Sequence, residues 1–500
     1  MAQTKQSSHR LRRGGIALGA IGIAAVALLS TSRHSTGSGS ASAGAAPASA
    51  VSALRPPKVT VLHRAAGLAP GLIFLAAKDR SPSPGEQDGP LVVDDRGRPV
   101  WFKPLPSGQV ASDFRIQRYQ GRPVLTWWQA RSIGGAGHGE GEDVIADTSC
   151  HVIARVQAAD GYRADQHSFR LTPQGTALIT AYHETPRDLS SVGGPRDGKV
   201  YDGIVQEIDV ATGRVLLDWH SLDHVPLSDS YEPVPKRPDR PYDYFHVNSV
   251  SLAADGNLVI SGRHTWTVYE VDRYTGRINW RLGGKQSDFR LGPGVRFAWQ
   301  HDPVSTGLDT LRIFDNGSNG RPVSPSSRII TVRLDRRTRT ATLVRSIEFP
   351  GGLSVPSQGN SERLSNGDLF VGWGRVGSFS ELAPDDRLLL DAKLPPGYDT
   401  YRAYRFPWTG HPTTRPAVAA RRDRPGRTTV DAVWNGATDV GRWRILAGPQ
   451  PRSLRPVAAV AWKGLGTTTT VATRAKYVSV SAEDALGHTV GSSTPVRVAS

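Results

Sequence analysis

One cysteine and one methionine stand among 500 residues. A single thiol, Cys150, cannot close an intramolecular disulfide or build a cysteine-based metal cluster. The fold must therefore stand on its core, and Cys150, in an apolar hairpin, reads as a buried structural thiol. No Walker loop or dinucleotide-binding glycine fingerprint is convincingly placed, so no nucleotide is implied and no cofactor is expected. Nor does a helix-turn-helix, zinc-finger or RNA-recognition pattern accompany the formal charge of +16. Of the 61 basic residues 51 are arginine, spread over every segment, which biased codon usage explains at least as well as a nucleic-acid partner. No nucleic acid is expected, although a basic surface still attracts anionic substrates or envelope polymers. The one long apolar run, residues 14–29, has 16 residues and falls slightly short of a usual membrane span.

That run follows Arg10, Arg12 and Arg13, so positive flank and apolar core come in the order of an export signal. Residues 35–52 are mainly Ser, Gly, Ala and Pro and cannot bury enough apolar surface to fold. The expected organisation begins with a signal peptide or signal anchor over residues 1–34 and a low-complexity linker over 35–60. Ala48-Ser49-Ala50 fits a small-residue cleavage pattern but lies well beyond the apolar core, so cleavage and retention both stay open. The protein is expected to be exported, extracellular or in the cell envelope, with residues 14–30 as membrane anchor if uncleaved.

What the chain has in abundance is a repeat. Hairpins with turns rich in Asp, Gly, Thr and Arg begin near residues 91, 144, 204, 266, 328 and 379, separated by 51 to 62 residues. Asp209-Val210-Ala211-Thr212-Gly213-Arg214 and Asp272-Arg273-Tyr274-Thr275-Gly276-Arg277 show the pattern most clearly. Between hairpins lie second strand pairs, such as 248–252 and 258–261 about the turn Asp255-Gly256. A spacing of this length matches a four-stranded blade, and six of them predict a six-bladed β-propeller over residues 61–412. Residues 71–76 and 401–406 are the candidates for strands that close the ring in one shared blade. Residues 413–500 change composition and carry short alternating strands, which predicts a fibronectin/immunoglobulin-like β-sandwich.

Four segments place a histidine or polar residue at one position of the repeat: Asp165-Gln166-His167, Phe245-His246-Val247-Asn248, Gln300-His301-Asp302 and Gln358-Gly359-Asn360. A radial fold brings them to one central mouth. Each has a bland alternative. A histidine beside a strand is more often a hydrogen-bonded structural residue, Arg263 ties blades as readily as it binds anions, and Asp315-Asn316-Gly317 reads as a tight turn.

Several ordered motifs resemble the PAPS-independent arylsulfate sulfotransferases, in their actinobacterial-type branch, over residues 68–408. They are His246-Val247-Asn248-Ser249-Val250, Ile260-Ser261-Gly262-Arg263, Ile278-Asn279-Trp280-Arg281-Leu282-Gly283-Gly284, Gln300-His301-Asp302, Phe314-Asp315-Asn316-Gly317, and Asn366-Gly367-Asp368 leading to Gly372-Trp373-Gly374. The resemblance implies sulfuryl transfer from a phenolic sulfate donor to a phenol acceptor through a sulfohistidine. It implies His301 as nucleophile, His246 and His167 as supporting histidines and Arg263 as the arginine facing the sulfonate oxygens. Asp302 is expected either to set the His301 tautomer or to turn the loop. Asn360, in the equivalent blade position, and Trp373, beside two glycines, are candidates for contacting substrate. His301 is expected at a channel mouth.

No metal is expected, although three converging histidines leave one conceivable. Two other readings stay open: a noncatalytic envelope-associated binding propeller, and a metal-dependent propeller hydrolase.

Overall fold

A computed structural model describes residues 54–80, 87–131 and 137–499. The export segment, its cleavage pattern and most of the linker lie outside them. Among the described residues no helix is long and apolar enough to cross a membrane.

The chain is nearly all β. Six sheets are each built on four antiparallel strands within residues 72–406, and two of them carry a fifth strand at the edge. The first comprises Tyr398–Phe406, Leu72–Asp79, Gly89–Val93 and Pro99–Phe102, and the second Val110–Tyr119, Arg122–Ala130, Glu142–Ala146 and Val152–Val156. The third is Ala164–Leu171, Thr176–Arg187, Gly198–Asp209 and Val215–His220, and the fourth Val247–Leu252, Leu258–Gly262, Thr267–Val271 and Ile278–Gly283. His301–Gly307, Thr310–Asp315, Arg328–Asp335 and Thr340–Glu348 make the fifth, and Asn360–Arg363, Leu369–Gly372, Ser378–Leu382 and Leu388–Lys393 the sixth. The closing pair meets as the sequence suggests, with Leu72 opposite Phe406 and Asp79 opposite Tyr398.

Alternation explains the packing, because a strand with apolar side chains on both faces must be covered twice. Each gap between consecutive sheets holds its own apolar cluster. Phe74 meets Phe114 and Trp127 between the first and second sheets, Ile145 meets Ile179 between the second and third, and Val205 meets Ile260 between the third and fourth. Val259 faces Ile313, Phe314 faces Val371, and Phe379 faces Leu75 in the remaining gaps. The first strand of each sheet packs on the first strand of the next, and Asn360–Arg363 packs on Tyr398–Phe406, so the series returns to its start.

Charge replaces apolar packing where these first strands converge. Arg402 is 0% exposed; its Nη1 donates to Asp113 at 3.0 Å, and its Nη2 lies 3.4 Å from Asp302 and from the Asn248 carbonyl oxygen. Arg170 donates to Asp302 at 2.8 Å, and the Tyr404 hydroxyl donates to Asp113 at 2.6 Å. Residues from the first five sheets thus share one buried ionic network.

Three of the outer edges are covered. Thr60–Arg64 pairs with Leu388–Lys393, and Arg290–Leu291 runs parallel to Thr340–Glu348. The outer strand Pro99–Phe102 is covered by the C-terminal region. The Asn435 side chain accepts from the Phe102 N–H at 2.9 Å and donates to its carbonyl at 2.8 Å, imitating a neighbouring strand. In that region Ala417–Arg424, Arg427–Val433 and Gly466–Ala472 form one sheet, and Arg455–Ala461, Arg442–Gly448, Tyr477–Glu483 and Thr489–Ser492 belong to a second. Val418, Val430, Trp443, Ile445 and Val480 share the core between them. The strands at 417–424 and 489–492 are not foreseen from the sequence.

Candidate functional site

The first strands deliver their leading residues through bulges. Pairing register shifts between Val247 and Ser249 and between His301 and Val304, and two residues of these irregular entries, His246 (φ 51°) and Asp302 (φ 45°), adopt left-handed backbone. Trp266, Trp299 and Gln358, at φ 53°, 50° and 67°, do the same nearby. Such conformations cost of order 1–3 kcal/mol each and persist only where surrounding structure enforces them. A bulge re-aims a side chain out of the sheet, which is how distant histidines come to share one space.

His301 is 1% exposed and bonded through both ring nitrogens. Nδ1 lies 2.7 Å from Asn316 Oδ1 and 3.1 Å from the Trp299 carbonyl oxygen, so this nitrogen carries the hydrogen. Nε2 accepts from the Gln358 N–H at 3.1 Å. Burial, and then the positive charge of Arg263, hold the imidazole well below its ordinary pKa, leaving it neutral. The expected open mouth is not what surrounds His301: its lone pair meets a backbone amide.

His246 has a carboxylate behind it. Asp243 Oδ2 lies 2.5 Å from His246 Nδ1 and 3.0 Å from His138 Nε2, and the Asp243 carbonyl oxygen lies 2.5 Å from His264 Nδ1. Burial pushes Asp243 upward, yet the three histidines outweigh it and hold the carboxyl well below the usual range. Burial keeps His246 well below its ordinary value despite Asp243, whereas for His138 the carboxylate overcomes burial and raises the pKa. Of the two imidazoles on this carboxylate, His138 is the one whose pKa lies above its ordinary value. His138 stacks on Tyr182 with centroids 3.6 Å apart, and the His246 ring lies 5.0 Å from that of His167.

Arg263 reaches the same space. Nη1 donates to His264 Nε2 at 2.6 Å, Nη2 donates to the Pro356 carbonyl at 3.2 Å, and Nε is buried without a partner. No carboxylate pairs with it among the described residues. Burial lowers its pKa, although Arg retains its proton. His167 is held through Nδ1 by Asp165, which also accepts the His167 N–H at 3.0 Å. The Tyr182 and Tyr401 hydroxyls donate to the carbonyls of Val247 and Asn248 at 2.6 and 2.7 Å, and burial raises both phenols.

The four residues His167, His246, His301 and Arg263 therefore gather at one site, and two other expected residues do not join them. Asn360 uses its whole amide on Ala403, donating to its carbonyl at 2.9 Å and accepting its N–H at 3.0 Å, so it ties the sixth sheet to the first. Trp373 is fully buried against Phe314 and Phe349, with its indole N–H on Ser380. Both side chains are fully buried in these positions. Asp302 points at Arg170 and Arg402; the partner that fixes the His301 tautomer is Asn316.

The arylsulfotransferase (ASST) family model matches residues 115–394, more than half of the chain and every one of the gathered groups. The chain belongs to the arylsulfotransferase family. No curated protein matches it. Among solved structures, this chain is similar to a protein of unknown function from Bacteroides caccae, at 12% identity over 68% of this chain and 99% of that one, with a TM-score of 0.40. It is also similar to a periplasmic gluconolactonase from Pseudomonas aeruginosa, at 13% identity over 81% and 99% of the two chains and a TM-score of 0.35. A catalytically inactive virginiamycin B lyase from Staphylococcus aureus, solved with quinupristin, gives 8%, 76%, 96% and 0.34 in the same order. At these scores none bears on the function. The site also holds residues that sequence reasoning passes over, His138 in a glycine-rich stretch of sequence, Asp243 on the connection between the third and fourth sheets and His264 directly after Arg263, and one that it reads only as part of a turn, Asn316.

Proposed function

We propose that this arylsulfotransferase moves a sulfuryl group from an aryl sulfate ester to a phenolic acceptor through a sulfohistidine on His301, on a six-bladed β-propeller carrying a C-terminal fibronectin/immunoglobulin-like sandwich. The observation that carries this reading is Arg263: a buried guanidinium without a counter-ion among the described residues, set among His246, His264 and His301. Burying an unpaired charge costs several kcal/mol. A sulfonate supplies the missing negative charge and accepts from a planar fork.

In the first half-reaction His301 Nε2 attacks sulfur, the sulfur–oxygen ester bond breaks, and the aryloxide leaves with the bonding pair. Asn316 keeps the hydrogen on Nδ1, so the attacking lone pair stays on Nε2. The Gln358 N–H holds that lone pair in the resting state and must turn aside, its strained backbone making it the movable partner. Arg263 faces the sulfonate oxygens, where charge develops. In the second half His246 Nε2 takes the proton of the incoming phenol as its oxygen attacks sulfur, and Asp243 stabilises the imidazolium that results. His167, fixed by Asp165, orients the oxygens.

One observation favours a second reading. His246 Nε2 has no hydrogen-bond partner among the described residues while Nδ1 is backed by Asp243, the arrangement of an activated nucleophile. In that reading the sulfuryl group rides on His246 and His301 is structural.

Residues 1–34 are read as the export signal or anchor, which places the activity outside the cytoplasm; N-terminal sequencing of the mature protein tests this. For the chemistry, the full chain is incubated with a chromogenic aryl sulfate with and without a phenol. Acceptor-dependent, chelator-resistant phenol release with sulfated acceptor as product supports sulfuryl transfer. Release that needs a divalent ion supports a hydrolase, and binding without turnover over a broad donor panel supports the noncatalytic reading.

A further inference from the structure

Asp243, His246 and His138 have a geometry that the sulfuryl-transfer reading does not use in full. Asp243 Oδ2, His246 Nδ1 and His138 Nε2 all lie within 4.8 Å of one another, two of the separations being 2.5 and 3.0 Å. A tetrahedral zinc ion with bonds of 2.0–2.2 Å to nitrogen and oxygen holds its donor atoms about 3.3 Å apart. Opening the two short contacts by less than about 1 Å reaches that spacing.

The surroundings supply what such a site requires. Asp243 Oδ1 and His138 Nδ1 are buried with no partner. The free Nδ1 can carry the ring hydrogen when Nε2 turns its lone pair to a metal, and the free Oδ1 can accept from a metal-bound water. Both rings are already oriented: His138 is stacked on Tyr182, and the His246 backbone is locked at φ 51°. Arg263 opposes a cation here, and the nearest opposing charges are Asp243 itself and Glu232, whose Oε1 lies 3.9 Å from His264 Nε2.

We propose that His138, Asp243 and His246 form a binding site for a divalent zinc-type cation, and that occupation of this site inhibits the enzyme. The ion takes the His246 nitrogen and the Asp243 oxygen that together activate His246 Nε2, and it replaces the hydrogen bond between them. Inhibition rests on the proposed role of His246 in sulfuryl transfer. Binding does not, so the two fail separately.

The probe is Co2+ titrated into the full chain, read by its visible absorption, with Zn2+ added in competition. One equivalent should bind with the intense bands of a four-coordinate site and be displaced by Zn2+. His138→Gln and Asp243→Asn should each weaken binding by about 100-fold or more, since even outer-shell changes cost 10–100-fold. His220→Gln, outside the site, should bind as the wild type does, and thermal melts confirm that each variant is folded. Equal Co2+ affinity in wild type and His138→Gln, or no saturable binding in the wild type, overturns the site. Saturable binding that leaves aryl-sulfate turnover untouched overturns the inhibition and, with it, the role of His246.

Discussion

Asn316 accepts the Nδ1 hydrogen of His301 at 2.7 Å while its own Nδ2 donates to the carbonyls of Val355 and Gln358 at 3.0 Å each. One amide thus fixes the tautomer of the proposed nucleophile and anchors the loop whose N–H meets the other ring nitrogen. Asn316→Ala should lower kcat by about 100-fold or more, the scale of a misdirected catalytic group, and leave KM for the donor nearly unchanged. Steady-state kinetics on an aryl sulfate check it; a loss confined to KM would assign Asn316 to substrate binding instead.

Arg263→Lys should keep the charge and lose the two-pronged contact, raising KM for the sulfate donor and slowing turnover less than His301→Ala, which should abolish it. His301→Ala also leaves Asn316 Oδ1 and the Gln358 N–H unpaired. It should cost about 1–3 kcal/mol of stability, and denaturant unfolding followed by circular dichroism reads that cost.

Arg402 neutralises Asp113 and Asp302 at the convergence of the inner strands. Arg402→Ala takes the guanidinium from the buried Asp113 and leaves Asp302 with Arg170 alone, and should destabilise the sheets by about 3–5 kcal/mol. A chemical denaturation midpoint unchanged from wild type would show that the ionic network is not holding the inner strands.

His220 sits between Asp202 at 2.7 Å and Asp218 at 3.1 Å. The bond to Asp202, opposed by burial and helped by Asp218, raises its pKa from 6.5 to about 9. The folded value lies above the unfolded one, so the stabilisation is fully present below about pH 6.5 and is lost as pH rises through about 9. His220→Gln should therefore lower Tm more at pH 6 than at pH 10. A difference independent of pH contradicts the charged pairing.

The C-terminal region covers the outer strand Pro99–Phe102 through Asn435. Removing residues 413–500 should expose that strand as an unpaired edge and promote association, while transferase activity per soluble molecule persists. Light scattering and specific activity of the truncated chain check both halves.

The repeat was legible because its turns carry Asp, Gly and Arg at fixed places and its strands alternate, both local signals. Closure was legible only as a pair of candidates, since Leu72–Asp79 and Tyr398–Phe406 are apolar or mixed segments with nothing local to mark them as partners. His167, His246 and His301 could be found because the repeat returns the chain to one place, whereas only the family resemblance points to Arg263. His138 and Asp243 lie on connections outside the repeat, where no period points to them. Asn316 was read as a turn because Asn-Gly has that local use, and it serves the turn and the histidine together. Asn360 holds an equivalent position in the repeat, but its amide faces the backbone of Ala403. Ala417–Arg424 escaped because its Arg-rich end breaks the alternation.

The most direct test is to incubate the full chain with an aryl sulfate in the absence of acceptor, quench at alkaline pH, and locate the added SO3 by peptide mass spectrometry. The account predicts modification of the peptide containing His301, lost in His301→Ala and discharged by adding a phenol. Modification at His246 instead, or turnover in His301→Ala equal to wild type, would contradict the assignment of the nucleophile.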